Sequence, residues 1–181
     1  MTEPRMAPIP IEQWDDETRG LLGDSTLNIF ATFAHHPKLM KRWMVFGNHV
    51  LAKSTLPARD RELLILRTGW NCRAPYEWGQ HVAIARAIGV TDDEITRIAA
   101  GPAAEGWDPF DASLLRAADE LHDDQCVGDG TYRALCDRYG EPQLLDLVFT
   151  VGQYHMVSMA LNSMRVQRDD GVTGVPIPER D

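Results

Sequence analysis

The residues of this chain best suited to chemistry are a histidine and two glutamates within otherwise apolar segments. Glu77 and His81 are four residues apart, so on a helix they share one face and can touch. Glu62 lies beside Leu63 and Leu64 on the preceding apolar segment, where burial of its charge costs free energy unless the charge is paired. Two carboxylates around one imidazole raise its affinity for a proton and orient the ring. We therefore expect these three residues to carry out general acid–base chemistry.

Two other interpretations fit the same residue types. A Glu–His pair at this spacing is common on solvated helix faces, where it has no catalytic role. Glu62, Glu77 and His81 also have the side chains of metal ligands, but they lack a second histidine or a recognised zinc spacing. A metal site is therefore the least favoured of the three interpretations.

The elements that position these side chains are predicted to be helices. Apolar residues recur at three- and four-residue steps through the segment after Pro57 and again through Pro75–Ile88, as on one face of a helix. The break at Asn71–Ala74 is short, so the two helices should run antiparallel and bring the three polar side chains together. No segment shows the strict alternation and turn residues of strands. The sequence thus predicts an all-α fold of roughly seven to nine helices.

Composition narrows the class of protein. The chain has 181 residues, a mass of 20.3 kDa and a net charge of −9, which indicates one globular domain without a nucleic-acid footprint. We identify neither a signal peptide nor an apolar stretch approaching the roughly 18 to 20 residues that span a bilayer. Cys72, Cys126 and Cys136 are too few and too scattered for a disulfide framework. We expect a cytoplasmic protein with neither a nucleic-acid nor a membrane partner.

The chain divides into an extended arm at residues 1–13, one domain at residues 14–168 and a flexible tail at residues 169–181. Prolines mark the arm, and glycines and prolines mark the tail. The last predicted helix, Glu141–Gln167, is apolar nearly all round, which indicates burial on every side. In so small a domain, we expect its outer face to contact another subunit of a homo-oligomer.

The strings RDRELLILRTGW, at Arg59–Trp70, and YEWGQH, at Tyr76–His81, resemble the carboxymuconolactone decarboxylase family. That family is also called the alkylhydroperoxidase D-like superfamily. The resemblance covers roughly residues 26–168 and implies an all-α fold assembled as trimers or hexamers.

The family signature is a glutamate, a CxxC pair whose first cysteine lies 12 residues on, and a histidine four residues after the second cysteine. Glu62 and His81 occupy the glutamate and histidine positions. The two cysteine positions carry Ala74 and Glu77 instead. The resemblance therefore points to a branch of the family without the redox pair.

For that branch the resemblance implies a cofactor-independent lyase, hydrolase or isomerase that acts on a small lactone or keto acid. His81 is then the general acid, Glu77 its orienting partner or a second base, and Glu62 the residue that tunes both. Arg67 is a candidate for holding a substrate carboxylate, with a structural ion pair as the alternative. Further substrate-binding candidates, each with a core or interface role as the alternative, are Trp70, Tyr76, Trp78 and His155. His49 and Tyr154 could line the same pocket.

Two alternatives belong to other functional classes. Cys72 could react with peroxide as a single cysteine, in an alkylhydroperoxidase-like peroxidase, because a thiolate is the nucleophile of that chemistry. The chain could also be a non-catalytic oligomeric binding protein, in which Glu77 and His81 would tolerate substitution. The sequence does not name the substrate.

Overall fold

A computed structural model of the chain describes residues 3–23, 25, 27–169 and 175–178. Over these residues the protein is all-helical, without strands, which confirms the predicted fold class. A 3-10 turn at Ile11–Gln13 precedes nine α-helices. They are α1 (Asp16–Leu22), α2 (Asn28–Phe33), α3 (Pro37–Ala52), α4 (Ala58–Asn71), α5 (Pro75–Ala87), α6 (Asp92–Ala100), α7 (Pro109–Asp123), α8 (Asp129–Cys136) and α9 (Glu141–Met164).

Local sequence signals explain where these helices begin and end. Pro37 and Pro75 occupy the first turns of α3 and α5, where a missing backbone donor costs nothing. Thr91 and Glu94 form the capping box that starts α6. The last helix ends three residues earlier than predicted, because Arg165 adopts a left-handed conformation with φ 54°. Such a residue ends a helix by turning the backbone away from the axis.

Helix α4 is the centre of the bundle and packs against α5, α6, α7 and α9. Its residues Leu63, Leu64, Ile65 and Leu66 are completely buried. A helix buried on all sides normally carries no unpaired charge. Glu62, on the same buried segment, must therefore find its partners inside the protein.

Helix α9 is 24 residues long and apolar enough, by length and composition, to cross a membrane. No segment of that kind was expected from the sequence. However, 44% of its most apolar window is buried inside the fold, and the helix packs against α3, α4, α5 and α7. This packing is typical of a core helix in a soluble protein. The outer face of α9 still exposes apolar side chains, including those of Leu145, Phe149 and Met159.

The described parts of the arm and of the tail contact the helical domain. In the arm, the backbone N–H groups of Arg5 and Ile9 donate to the carbonyls of Met164 and Ala31. Of the predicted tail, residues 170–174 and 179–181 lie outside the described residues. Val175 and Ile177 pack against the main core.

Candidate active site

The three polar residues predicted to act together meet between α4 and α5. Nδ1 of His81 lies 2.7 Å from Oε2 of Glu62, and Nε2 of His81 lies 3.1 Å from Oε1 of Glu77. The short turn between the helices contains Arg73 in a left-handed conformation, with φ 48°, and reverses the chain as the sequence predicted. Glu62 is fully buried, and Glu77 and His81 are each 5% exposed. This buried cluster is called the Glu–His–Glu triad below.

The triad holds its histidine as a cation at neutral pH. An ionised carboxylate only accepts hydrogen bonds, so each of the two ring nitrogens has to carry a proton to donate. Burial by itself lowers the pKa of His81, but the hydrogen bonds and charges of Glu62 and Glu77 outweigh it and raise that pKa to about 9. The second oxygen of Glu62 is 3.4 Å from Nε of Arg61. The two buried carboxylates are thus balanced by two cations.

A cavity of about 160 Å³ opens beside the triad, between α2, α3, α5 and α9. Glu77 and His81 form part of its wall, whereas Glu62 does not. The rest of the wall is mostly apolar and includes Ile29, Phe30 and Val157. A cavity of about 150 Å³ binds a molecule the size of benzene, so this one fits a single small ring.

Tyr154 completes the polar part of the cavity. Its ring stands edge-on to His81, with centroids 4.9 Å apart and an interplanar angle of 88°. Burial, together with the nearby negative charges of Glu77 and Glu62, raises the pKa of Tyr154 well above its ordinary value. The phenol therefore stays neutral and keeps its proton for donation to a ligand.

Two further wall residues have polar atoms without a partner. Nε1 of Trp43 and Oε1 of Gln153 are buried and make no hydrogen bond to any described residue. An unpaired buried polar atom costs about 1–3 kcal/mol, and such atoms in native proteins commonly have a ligand or water partner. The cavity thus combines an apolar wall with one unsatisfied donor and one unsatisfied acceptor, as small-molecule sites do.

Tyr76, predicted to bind substrate, lies on the cavity wall with its hydroxyl engaged. Oη accepts a hydrogen bond from the backbone N–H of Ile29 at 3.1 Å and donates one to Oδ2 of Asp169 at 2.5 Å. The same carboxylate oxygen accepts from Nε2 of Gln80 at 3.0 Å. Tyr76 therefore joins α2, α5 and the start of the predicted tail at the edge of the cavity.

The other predicted substrate-binding residues do not line this cavity. Arg67 forms a two-bond ion pair with Asp119, at 2.5 and 3.0 Å, and also donates to the carbonyls of Ile98 and Ala99. Trp70 and Trp78 pack against each other, with ring centroids 5.1 Å apart. The structure thus buries Trp78 in the core, whereas Arg67 and Trp70 line a separate cavity of about 280 Å³.

His155 and His49 also lie elsewhere. His155 contacts His122, with Nε2 of His155 2.8 Å from Nδ1 of His122. His49 is half-exposed and lies 3.8 Å from a carboxylate oxygen of Asp146. Of the two residues that the sequence offered as further pocket residues, only Tyr154 lies at the cavity.

Among the cavity residues, Gln153 received no role from the sequence, and the helical spacing of Trp43 favoured a core position, with an aromatic wall for a flat substrate as the alternative. Gln153 is a polar residue within an apolar helix, which is the signal that marked Glu62 and could have identified it. Trp43 had no such signal, because a tryptophan on an amphipathic helix is typical of a core residue. Only the packing of α3 against α9 brings its indole to the cavity.

Comparison with known proteins shows which family and folds this chain resembles. The carboxymuconolactone decarboxylase family matches residues 37–120, a segment that contains all three residues of the triad. This match, together with the fold of similar solved structures, supports the carboxymuconolactone decarboxylase and AhpD-like superfamily for this chain. No curated protein matches the chain.

Solved structures confirm the superfamily fold. An uncharacterised peroxidase-related protein from Ralstonia eutropha, described as an alkylhydroperoxidase AhpD core, has a TM-score of 0.83 at 16% identity, covering 94% of each chain. A peroxidase-related protein from Silicibacter sp. has a TM-score of 0.80 at 13% identity, covering 93% of this chain and 95% of its own. A cysteine-to-alanine variant of the debrominase Bmp8, in complex with 2,3,4-tribromopyrrole, has a TM-score of 0.73 at 13% identity, covering 91% of each chain.

Enzymes occur in this superfamily, the debrominase among them, but thiol chemistry is not favoured in this chain. Ala74 is completely buried at the end of the α4–α5 turn, and Glu77 is bound to His81. Neither offers a nucleophilic sulfur. Cys72 is not part of the cavity wall. The polar chemistry of the cavity is therefore that of the triad and Tyr154.

Proposed function

We propose that this protein is a cofactor-independent enzyme that transfers a proton at the carbon next to a carbonyl group in a small ring compound. This class of reaction includes the decarboxylation of keto acids and the isomerisation of unsaturated lactones. The observation that supports it is an imidazole held between two carboxylates, one of which opens onto a ring-sized apolar cavity. A buried acid–base pair of this kind can act near neutral pH.

Glu77 is the group that exchanges a proton with the substrate, because it is the carboxylate on the cavity wall. In an isomerisation, its carboxylate removes a proton from the α-carbon, and the electron pair moves into the carbonyl to form an enolate. The same carboxyl group then returns the proton to the more distant carbon of the conjugated system. In a decarboxylation, the bond to the departing CO2 supplies the electron pair, and the proton comes from the His81–Glu77 pair.

Tyr154 and His81 stabilise the enolate oxygen in this scheme. The neutral phenol of Tyr154 donates a hydrogen bond, and the imidazolium of His81 contributes positive charge. Donors fixed in advance where negative charge develops are commonly the largest single contribution to catalysis. Glu62 does not contact the cavity, so its part is to hold the ring of His81 in place and keep it charged.

The wall composition indicates a substrate with one carbonyl and little charge. Among the described residues of the wall, His81 is the cation. Arg67, the residue expected to hold a substrate carboxylate, is instead bound to Asp119. The family resemblance implied a small lactone or a keto acid. The cavity gives more support to the lactone, or to a cyclic ketone, with a carboxylate tolerated only where CO2 is lost.

Solvent-deuterium exchange tests this proposal even though the substrate is unidentified. A panel of small cyclic ketones, unsaturated lactones and β-keto acids is incubated with the protein in D2O and followed by proton NMR. We expect the wild-type protein to accelerate deuterium uptake or decarboxylation for at least one compound. E77Q and H81Q should abolish that acceleration, whereas E17Q, a matched substitution at a half-exposed residue, should keep it. Uptake that is unaffected by E77Q would contradict the proposed role of Glu77.

We also propose that the protein is a homo-oligomer, a trimer or hexamer, in the cytoplasm. Apolar side chains protrude from α3 and α9: Leu39 and Val45 are 60% and 73% exposed, and Phe149 and Met159 are 55% and 64% exposed. Exposed apolar side chains grouped on neighbouring helices mark a contact surface. Three scattered cysteines, too few for a disulfide framework, support a reducing compartment.

A further inference from the structure

Outside the cavity, a second group of chemically active side chains lies where the ends of α4 and α7 meet α9. Cys72 caps the C-terminal end of α4, His122 is in the last turn of α7, and His155 is in the middle of α9. One ligand atom from each residue lies within 4.8 Å of the other two. None of the three lines the cavity of the triad, and the proposed proton-transfer chemistry does not use them.

We propose that Cys72, His122 and His155 form a binding site for a divalent cation of the zinc type. One thiolate and two imidazoles form a ligand set that zinc uses in proteins, with three protein ligands and one position left for water or a small ligand. The sulfur favours zinc over magnesium or calcium, which bind oxygen ligands. This inference is independent of the proposed enzymatic function.

The orientation of His155 is that of a metal ligand. Its Nδ1 donates a hydrogen bond to the backbone carbonyl of Val151 at 2.9 Å, so Nε2 carries the lone pair. Histidines that bind metals generally donate their other N–H to a carbonyl or carboxylate in this way.

The distances require only a small adjustment. Nδ1 of His122 is 2.8 Å from Nε2 of His155, whereas two imidazole nitrogens on a tetrahedral zinc ion are about 3.3 Å apart, from bond lengths near 2.0 Å. Metal binding would replace this N–H···N hydrogen bond, with the proton of His122 moving to its other nitrogen. The thiol of Cys72 would lose its proton to solvent.

A hydrogen bond from α9 holds the backbone at Cys72. Nδ2 of Asn162 donates to the carbonyl of Cys72 at 3.0 Å and joins the end of α4 to α9. All three ligand residues are half-buried, so the site is accessible to an ion but partly shielded from water. The formal net charge of −9 also favours cation binding to the protein as a whole.

Cobalt(II) serves as the spectroscopic probe for this site. We expect one equivalent of Co2+ to give a thiolate-to-cobalt charge-transfer band in the near ultraviolet and intense visible d–d bands typical of tetrahedral coordination. Added Zn2+ should remove both. C72S should lose the charge-transfer band. H122Q should weaken Co2+ binding by about 100-fold or more, because it removes a direct ligand. Loss of a residue that only supports a ligand by a hydrogen bond costs about 10- to 100-fold in metal affinity.

The other two cysteines provide the matched control. Cys126 and Cys136 are exposed, so the double variant C126S/C136S should keep the complete cobalt spectrum. Circular dichroism of every variant, measured without metal, establishes that the fold is retained. The absence of a charge-transfer band in the wild-type protein, or an unchanged band in C72S, would overturn the proposal. In that case the His122–His155 hydrogen bond would be a structural contact alone.

Discussion

Glu62 accepts a hydrogen bond of 2.7 Å from Nδ1 of His81, 19 residues later in the chain, at a point where both side chains are buried. The contact joins the central helix α4 to α5 and fixes both the position and the charge of the imidazole. Because Glu62 does not reach the cavity, this interaction acts on the chemistry only through His81. Glu62 is thus a positioning residue, and Glu77 is the carboxylate that meets the ligand.

Stability should depend on pH through His81. The pKa of His81 is raised to about 9 in the folded protein, above about 6.5 in an unfolded chain. The stabilisation is therefore complete below pH 6.5 and is lost as the pH rises through about 9, by a few kcal/mol in total. Urea unfolding between pH 6 and pH 10 measures this loss. The E62Q/E77Q variant should not show it; an equal decline in that variant would assign the effect to other groups.

Substitution of Tyr154 by phenylalanine should lower the catalytic rate without destabilising the fold. Y154F keeps the ring that stands edge-on to His81 but removes the hydroxyl that we assign to the enolate oxygen. Loss of one such donor lowers kcat by about 100-fold or more, with little change in the melting temperature. Y132F, at a half-exposed tyrosine on α8, should leave kcat unchanged. If Y154F had the kcat of the wild-type protein, the phenol would have no part in the reaction.

Substitution of Arg67 should reduce stability without altering substrate affinity. R67A leaves Asp119 with only its hydrogen bond from Asn71 and removes hydrogen bonds to two carbonyl groups at the end of α6. Breaking a largely buried pair costs about 3 kcal/mol, measurable as the free energy of unfolding in urea. K41A, which breaks a pair whose side chains are about half-exposed, should cost less than about 1 kcal/mol. A large rise in KM for R67A, with unchanged stability, would restore Arg67 as a substrate-binding residue.

The exposed apolar surface of α3 and α9 should control assembly. A charge at Met159, which is 64% exposed, would be desolvated in any subunit contact and should dissociate the oligomer. Light scattering during size-exclusion chromatography should show a trimer or hexamer for the wild-type protein and smaller species for M159E. I88E, at an exposed apolar residue that caps the C-terminal end of α5, is the control and should assemble normally. A monomeric wild-type protein would contradict the proposed assembly.

Sequence information was sufficient for the helical fold and for the Glu–His–Glu triad. The triad could be predicted because its members lie on two consecutive helices joined by a short turn, so spacing alone determines that they meet. For Arg67, its spacing from Glu62 along the helix argues against a place in the same site. Five residues correspond to roughly 140° around a helix, so Arg67 projects from a different side of α4 than Glu62 and meets Asp119 of α7.

The remaining features depend on contacts between distant helices. Trp43 and Gln153 meet at the cavity only because α3 packs against α9, and no local pattern specifies that packing. His122 and His155 likewise come together from α7 and α9. The sequence does not predict this contact, because each histidine lies in an ordinary amphipathic or apolar helix, and the distance between them in the chain has no characteristic spacing. Such pairs become visible only in three dimensions.

The protonation state of His81 tests the central claim most directly. Nitrogen-15 NMR of the histidine side chains, with H81Q used to assign the resonances, reports how many ring nitrogens carry a proton at each pH. We predict that His81 is doubly protonated at pH 7 and titrates near pH 9, as expected for an imidazolium between two carboxylates. A neutral His81 at pH 7 would contradict both the charged triad and the proton transfer that we base on it.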